Sequence, residues 1–123
     1  MTAGSPVSGI ILHICPAADW LADNDGWYQC PSLANEGFIH CSEPNQVIEV
    51  ADNLFRGHSG LILLLIDPVR VVPEIRVEDA GNGTPYPHIY GALNKGAVVG
   101  TIAFEPDTEG RFHLPHGLLL ARS

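Results

Sequence analysis

The sequence predicts an α+β fold, and three observations point to it. Strand-like apolar runs alternate with only two strong helical patterns, and nothing repeats at a fixed period. Thirteen glycines and ten prolines break the chain into short elements, which excludes a helical bundle. At 123 residues the chain suits one domain, since domains most often run to roughly 100–150 residues. Hydrophobic residues make up 46% and charged residues 16%, enough apolar material for a core and the opposite of a disordered tail. Residues 1–8 are small and polar and read as a loose arm, leaving 9–123 as the domain.

The elements follow in order. Ile10–Cys15 is a first strand closed by Pro16, and Pro16–Asp23 a short helix with Trp20 and Leu21 as its apolar contacts. Asn24-Asp25-Gly26 makes a turn before a brief extended piece at Trp27–Cys30. Ser32–Glu36 is one helical turn, ended by Gly37 at the left-handed position such an end prefers. Phe38–Ser42 is a second strand. Pro44 then opens a helix, where a fixed φ and a missing N–H do no harm, and Val47, Val50, Ala51, Leu54 and Phe55 recur at helical spacing up to Gly57.

Leu61–Ile66 is apolar throughout, a strand buried on both faces. Val69–Val72 and Ile75–Glu78 are further strand-like pieces around Pro73. Asp79–Pro87 reads as a loose loop large enough to border an active site, and Pro87–Gly91 as extended. Ala97–Phe104 is a long apolar strand. Beyond the turn at Asp107–Gly110, Arg111–Leu114 is expected to pair back as the last strand of a hairpin.

Charge and cysteine content remove several classes of partner. The net charge is −8, and the six basic residues are dispersed, so duplex nucleic acid and anionic membrane surfaces are excluded as partners; a small molecule remains. Ile10–Leu12 is too short for a signal-peptide core and lacks a basic residue before it, and Leu61–Ile66 is far short of a membrane span. Three cysteines cannot complete an intrachain disulfide framework, which makes a reducing, cytoplasmic setting the expectation. No C-x-x-C or H-x-x-x-H spacing is present, so no metal is expected, and no Lys or Arg adjoins a cysteine to activate it. Gly81-Asn82-Gly83-Thr84 matches neither phosphate-binding glycine pattern.

Chemistry gathers instead on histidines in short apolar strands. Residues two apart share a strand face, so Ile11, His13 and Cys15 lie together, as do Phe38, His40 and Ser42, and as do His88 and Tyr90. A lone strand histidine is more often a hydrogen-bonded core residue, the reading that suits His13 alone. For His40, with Ser42 on its face, both readings stay open, and Ser42 has a competing role as cap of the following helix. His88, after the long loop, points toward function. Tyr90 equally suits a core ring with its hydroxyl at the surface. His58, His113 and His116 sit in turns and read as solvated.

The segments LHIC (12–15), SLANEGFIHCSEPNQV (32–47), LLLID (63–67) and PYPHIYGAL (85–93) resemble a bacterial family called domain of unknown function 952. The resemblance runs from about Ile10 to about Phe112. That family more remotely resembles the ADP-ribosyltransferase fold, particularly its RNA 2′-phosphotransferase branch, which works on an ADP-ribosylated intermediate. The arginine cluster with which those phosphotransferases hold RNA phosphate has no counterpart here.

The resemblance implies two small antiparallel sheets packed as a split β-sandwich with two or three short helices. It also implies NAD as substrate. His13 would hold the adenosine ribose or pyrophosphate, Ser42 would fix the nicotinamide ribose, and Tyr90 would join them in the cofactor site. His40 or His88 would act as acid or base at the acceptor, and Glu78, by order along the chain, would fill the acidic catalytic position. A non-catalytic module binding a nucleotide-like metabolite is the alternative from a different class. An interaction protein without a ligand is a third, and it requires mutually distant histidines.

Overall fold

The computed structural model describes residues 9–22, 24–79, 81–116 and 118. The chain runs β1 (Ile11–Pro16), α1 (Ala17–Leu21), β2 (Trp27–Tyr28), α2 (Pro31–Glu36), β3 (Ile39–His40), α3 (Val47–Leu54) and β4 (Leu61–Ile66). It continues with β5 (Glu74–Asp79), β6 (Pro85–Tyr90), β7 (Leu93–Asn94) and β8 (Val98–Ala103). Two short 3-10 turns, Pro68–Arg70 and Lys95–Ala97, lie among these strands. The fold is α+β. The arm expected at 1–8 lies outside the described residues, and among those described no helix is long and apolar enough to cross a membrane.

All strand pairs are antiparallel, in three sheets ordered β1-β4-β8, β3-β6-β5 and β2-β7. Because β4 is apolar at every position, its sheet must be covered on both faces, and it is. One face carries Ile11, Cys15, Leu64 and Ile66 against Ile39, Ile75 and Ile89 of the second sheet. The other carries Leu12, Ile14, Leu63 and Leu65 against Val47 and Ala51 of α3 and the stacked rings of Phe104 and Phe112. The period-two division of β1 read from the sequence is the division between these two cores.

Several local expectations are corrected. Val69–Val72 is not a strand: Pro68 opens a 3-10 turn, capped when Asp67 accepts a hydrogen bond from the Val69 N–H. The loop expected over 79–87 is shorter, because β5 and β6 pair as far as Asp79 opposite Pro85. Asp79 closes that hairpin by accepting from the N–H groups of Gly81 and Gly83 at 2.7 and 2.9 Å. Arg111–Leu114 does not pair with β8. Asp107 takes the Arg111 N–H, Asp52 of α3 takes the Phe112 N–H, and the segment turns across α3 so that Phe112 enters the core. β7 is a strand of two residues that no periodicity announces.

The second strand is where the site arises. Ile39 and His40 pair with Ile89 and His88 of β6, and Cys41 N–H still bonds Pro87 O. One residue later Ser42 exchanges both backbone bonds with Leu12 of β1, each 2.8 Å. The chain thus passes from one sheet to the other within two residues, and the sheets splay apart on either side of the crossing.

Candidate functional site

At that crossing a continued β1–β3 ladder would set Ile14 opposite His40, but the strands have diverged. His13 fills the gap: its Nδ1 lies 2.6 Å from His40 O and its Nε2 2.7 Å from the Tyr28 hydroxyl. A carbonyl only accepts, so Nδ1 carries the proton and donates. Burial draws the His13 pKa down to about 4, so the ring is neutral near pH 7 and Nε2 must accept from Tyr28. Cys15 is a near neighbour of the same hydroxyl. Burial first, and the neighbouring groups after it, push the Tyr28 hydroxyl well above its ordinary range. His13 therefore ties the two sheets together, and neither ring nitrogen is left for a ligand.

A cleft of about 520 Å³ opens beside this tie. His13, His40 and Ser42 line it from the crossing, Tyr28 from β2, Asn53 and Leu54 from α3, and Tyr86 from β6. Ser42 is buried and does not cap α3, whose first turn has no side-chain cap; Gln46 instead accepts from the Glu43 N–H. All three cysteines also line the cleft. They are free, and burial raises Cys15 to about 11 and lifts Cys41 further, so both remain thiols. Among the described residues no group of three or more His, Cys, Asp or Glu is arranged to hold a metal ion.

His88 does not line the cleft. It lies on the outward face of the β3-β6-β5 sheet, with Cα partners His40 on one side and Arg76 on the other. Glu78 Oε1 accepts from the Tyr90 hydroxyl at 2.5 Å and from His88 Nδ1 at 2.9 Å. The Tyr90 bond, then the His88 bond, hold the Glu78 carboxyl below the usual carboxylate range. The same bond raises the Tyr90 hydroxyl. Arg76 lies over the Tyr90 ring, 4.2 Å from its centroid. Phe38 stacks on His88 at 4.1 Å, and His40 meets it edgewise at 5.3 Å. His88 is 3% exposed, and among the described residues its Nε2 has no hydrogen-bond partner.

The residues picked from the sequence thus form two neighbouring groups. His13, His40 and Ser42 meet at the cleft; beside it His88 and Tyr90 both bond to Glu78. The groups adjoin through His40, which lines the cleft and touches His88, and through Tyr86, which lines it and is the Cα partner of Glu78. His58, His113 and His116 are exposed. Sequence reasoning missed Tyr28, Tyr86, Asn53 and Arg76. The first gave no signal from its two-residue strand, whereas Tyr86 and Arg76 share the parity of His88 across a hairpin and could have been found once that hairpin was drawn.

Fold and site together define an antiparallel α+β domain with a cleft between two splayed sheets and a carboxylate–imidazole–phenol group at its edge. The chain belongs to the family described as "Protein of unknown function (DUF952)", whose pattern matches residues 14–101. The crystal structure of protein CC0527 from Caulobacter crescentus is similar, with a TM-score of 0.79 and 28% identity over 89% of this chain and 98% of that one. The solution NMR structure of CC0527 gives 0.76 and 28% over 90% and 97%. No curated protein matches the sequence.

Proposed function

We propose that this protein is an NAD-using, ADP-ribosyltransferase-like enzyme whose cleft receives part of the dinucleotide, with Glu78 as the catalytic carboxylate at its edge. One observation carries the reading: a ligand-sized cleft and a fixed, ionised carboxylate adjoin through Tyr86 and His40. The volume lies within the roughly 300–1,000 Å³ usual for small-molecule sites. Apolar side chains, rings and small polar groups line it together with Asp19, and no Lys or Arg is among the described lining residues, so an uncharged portion of the ligand suits it better than a phosphate. Arg76, on the outer sheet face, is the cation best placed for the anionic portion. Ser42 and Tyr86 contact the ribose, and Glu78 Oε2 accepts from a ribose hydroxyl while Tyr90 and His88 hold Oε1. His13 acts only by fixing Tyr28 and the sheet crossing.

The commitment of both His13 nitrogens to the protein favours a second reading, a module that binds a nucleotide-like metabolite without turning it over. Incubation with NAD separates the two. Release of free nicotinamide, lost in Glu78→Gln, supports the enzyme; saturable binding of NAD or ADP-ribose by calorimetry without release supports the module. Neither binding nor release would contradict both.

A further inference from the structure

A buried imidazole nitrogen without a partner is uncommon, because leaving such a group unpaired costs about 1–3 kcal/mol. His88 Nε2 is such an atom. The cause lies in the ring's other contacts. Glu78 is ionised and can only accept, so His88 Nδ1 donates to it, and in the matching neutral tautomer the lone pair sits on Nε2. The two nitrogens of an imidazole diverge, so Nε2 looks away from Glu78. Phe38 stacks flat on the ring, closing a face, not an edge. His40 meets the ring at 78° from the adjacent strand. The His40 side chain is itself 47% exposed, lines the cleft, meets the Phe38 ring edgewise at 4.8 Å, and is hydrogen-bonded to Glu36 at 3.0 Å on the surface.

A carboxylate that fixes one imidazole nitrogen and leaves the other basic is the arrangement by which proteins orient a general base. We infer that His88, oriented by Glu78, is the proton acceptor of this site and that His40 is the movable cover over its Nε2. The two histidines of the PHIYG and GFIHCS segments thus have different tasks. Rotation of His40 away from Glu36 opens His88 to the cleft beside Tyr86. The partner is an acceptor hydroxyl, of water or of an alcohol. Its O–H bond breaks as Nε2 takes the proton, and the resulting imidazolium is held by the Glu78 carboxylate. On the reading proposed above, on which this step rests, the hydroxyl oxygen bonds to the ribose carbon. The carbon–nitrogen bond breaks with its electron pair going to nicotinamide.

The cover can be tested without any ligand by diethyl pyrocarbonate, which acylates an accessible unprotonated imidazole nitrogen, read peptide by peptide by mass spectrometry. In the wild type His88 should react at least tenfold more slowly than the exposed His58 and His116. His40→Ala should raise the His88 rate at least tenfold, and His40→Phe, which keeps a ring there, should not. His13, with both nitrogens engaged, should stay unreactive in all three proteins and so reports that the fold is intact. Fast reaction of His88 in the wild type, or continued protection in His40→Ala, overturns the cover. For the base, His88→Gln should lower nicotinamide release at least a hundredfold with NAD affinity kept within about threefold; undiminished release overturns it. A wild type that releases no nicotinamide overturns the proton-acceptor role together with the NAD reading, while the acylation pattern still decides the cover.

Discussion

The side chain that does most for the architecture is His13, a residue whose local sequence says little. It replaces a missing strand–strand hydrogen bond at the crossing and orients a buried phenol, so His13→Ala leaves the His40 carbonyl and the Tyr28 hydroxyl without partners. The expected loss is about 2–4 kcal/mol near neutral pH, read as a shift in urea midpoint. Its titration adds a pH dependence with a definite sign. The folded ring has a pKa of about 4 against 6.5 ordinarily, so the unfolded chain takes up the proton first as pH falls. The stability from this group is complete above about pH 6.5 and is lost toward pH 4, roughly 3 kcal/mol in all. His13→Ala should flatten that part of the pH–stability curve, and an equal fall in the variant would contradict the assignment. His40 is the contrast. Its imidazole is half exposed and, among the described residues, hydrogen-bonded to Glu36, while the structural work at this position is done by its backbone carbonyl. His40→Ala should move the urea midpoint by less than about 1 kcal/mol while weakening NAD affinity measured by calorimetry. A large fall in midpoint would make the ring structural.

At the scale of elements, what the sequence revealed was what short-range chemistry decides. Leu61–Ile66 is a strand at those residues because a continuous apolar run between Gly60 and Asp67-Pro68 has no other use. Gly37 ends α2 at φ 88°, with its N–H bonded to Leu33 O, as a glycine after a helical turn should. Gly37→Ala forces a Cβ into that left-handed conformation and should cost about 1 kcal/mol, seen as a lower urea midpoint; no change would mean the helix end rearranges freely. What the sequence hid was decided at long range. The Phe38–Ser42 strand splits its pairing between two sheets, which no alternation pattern encodes. Arg111–Leu114 has the composition of a hairpin strand, yet Asp52 and Asp107 hold its backbone elsewhere. His13, His40, Ser42, His88 and Tyr90 were legible as polar groups on apolar strands, whereas Glu78 came only from the family resemblance, by its order along the chain. Their division into a cleft group and an edge group was not, because it depends on the β5–β6 register.

For the molecule as a whole, two splayed sheets share one crossing strand, and the cleft exists because they diverge there. Among the described residues no group of three or more His, Cys, Asp or Glu is placed to hold a metal ion. Chelation of the purified protein should leave its melting temperature unchanged, and stoichiometric zinc in metal analysis would contradict that. The central claim is that the cleft at the crossing binds an NAD-type nucleotide. The most direct test is a titration of isotope-labelled protein with NAD followed by backbone and side-chain NMR shifts. The account predicts saturable changes clustered at Leu12, Tyr28, Ser42, Asn53 and Tyr86, extending to Glu78 and Arg76 on the outer sheet face. Changes confined to other surfaces, or none at millimolar NAD, would contradict it.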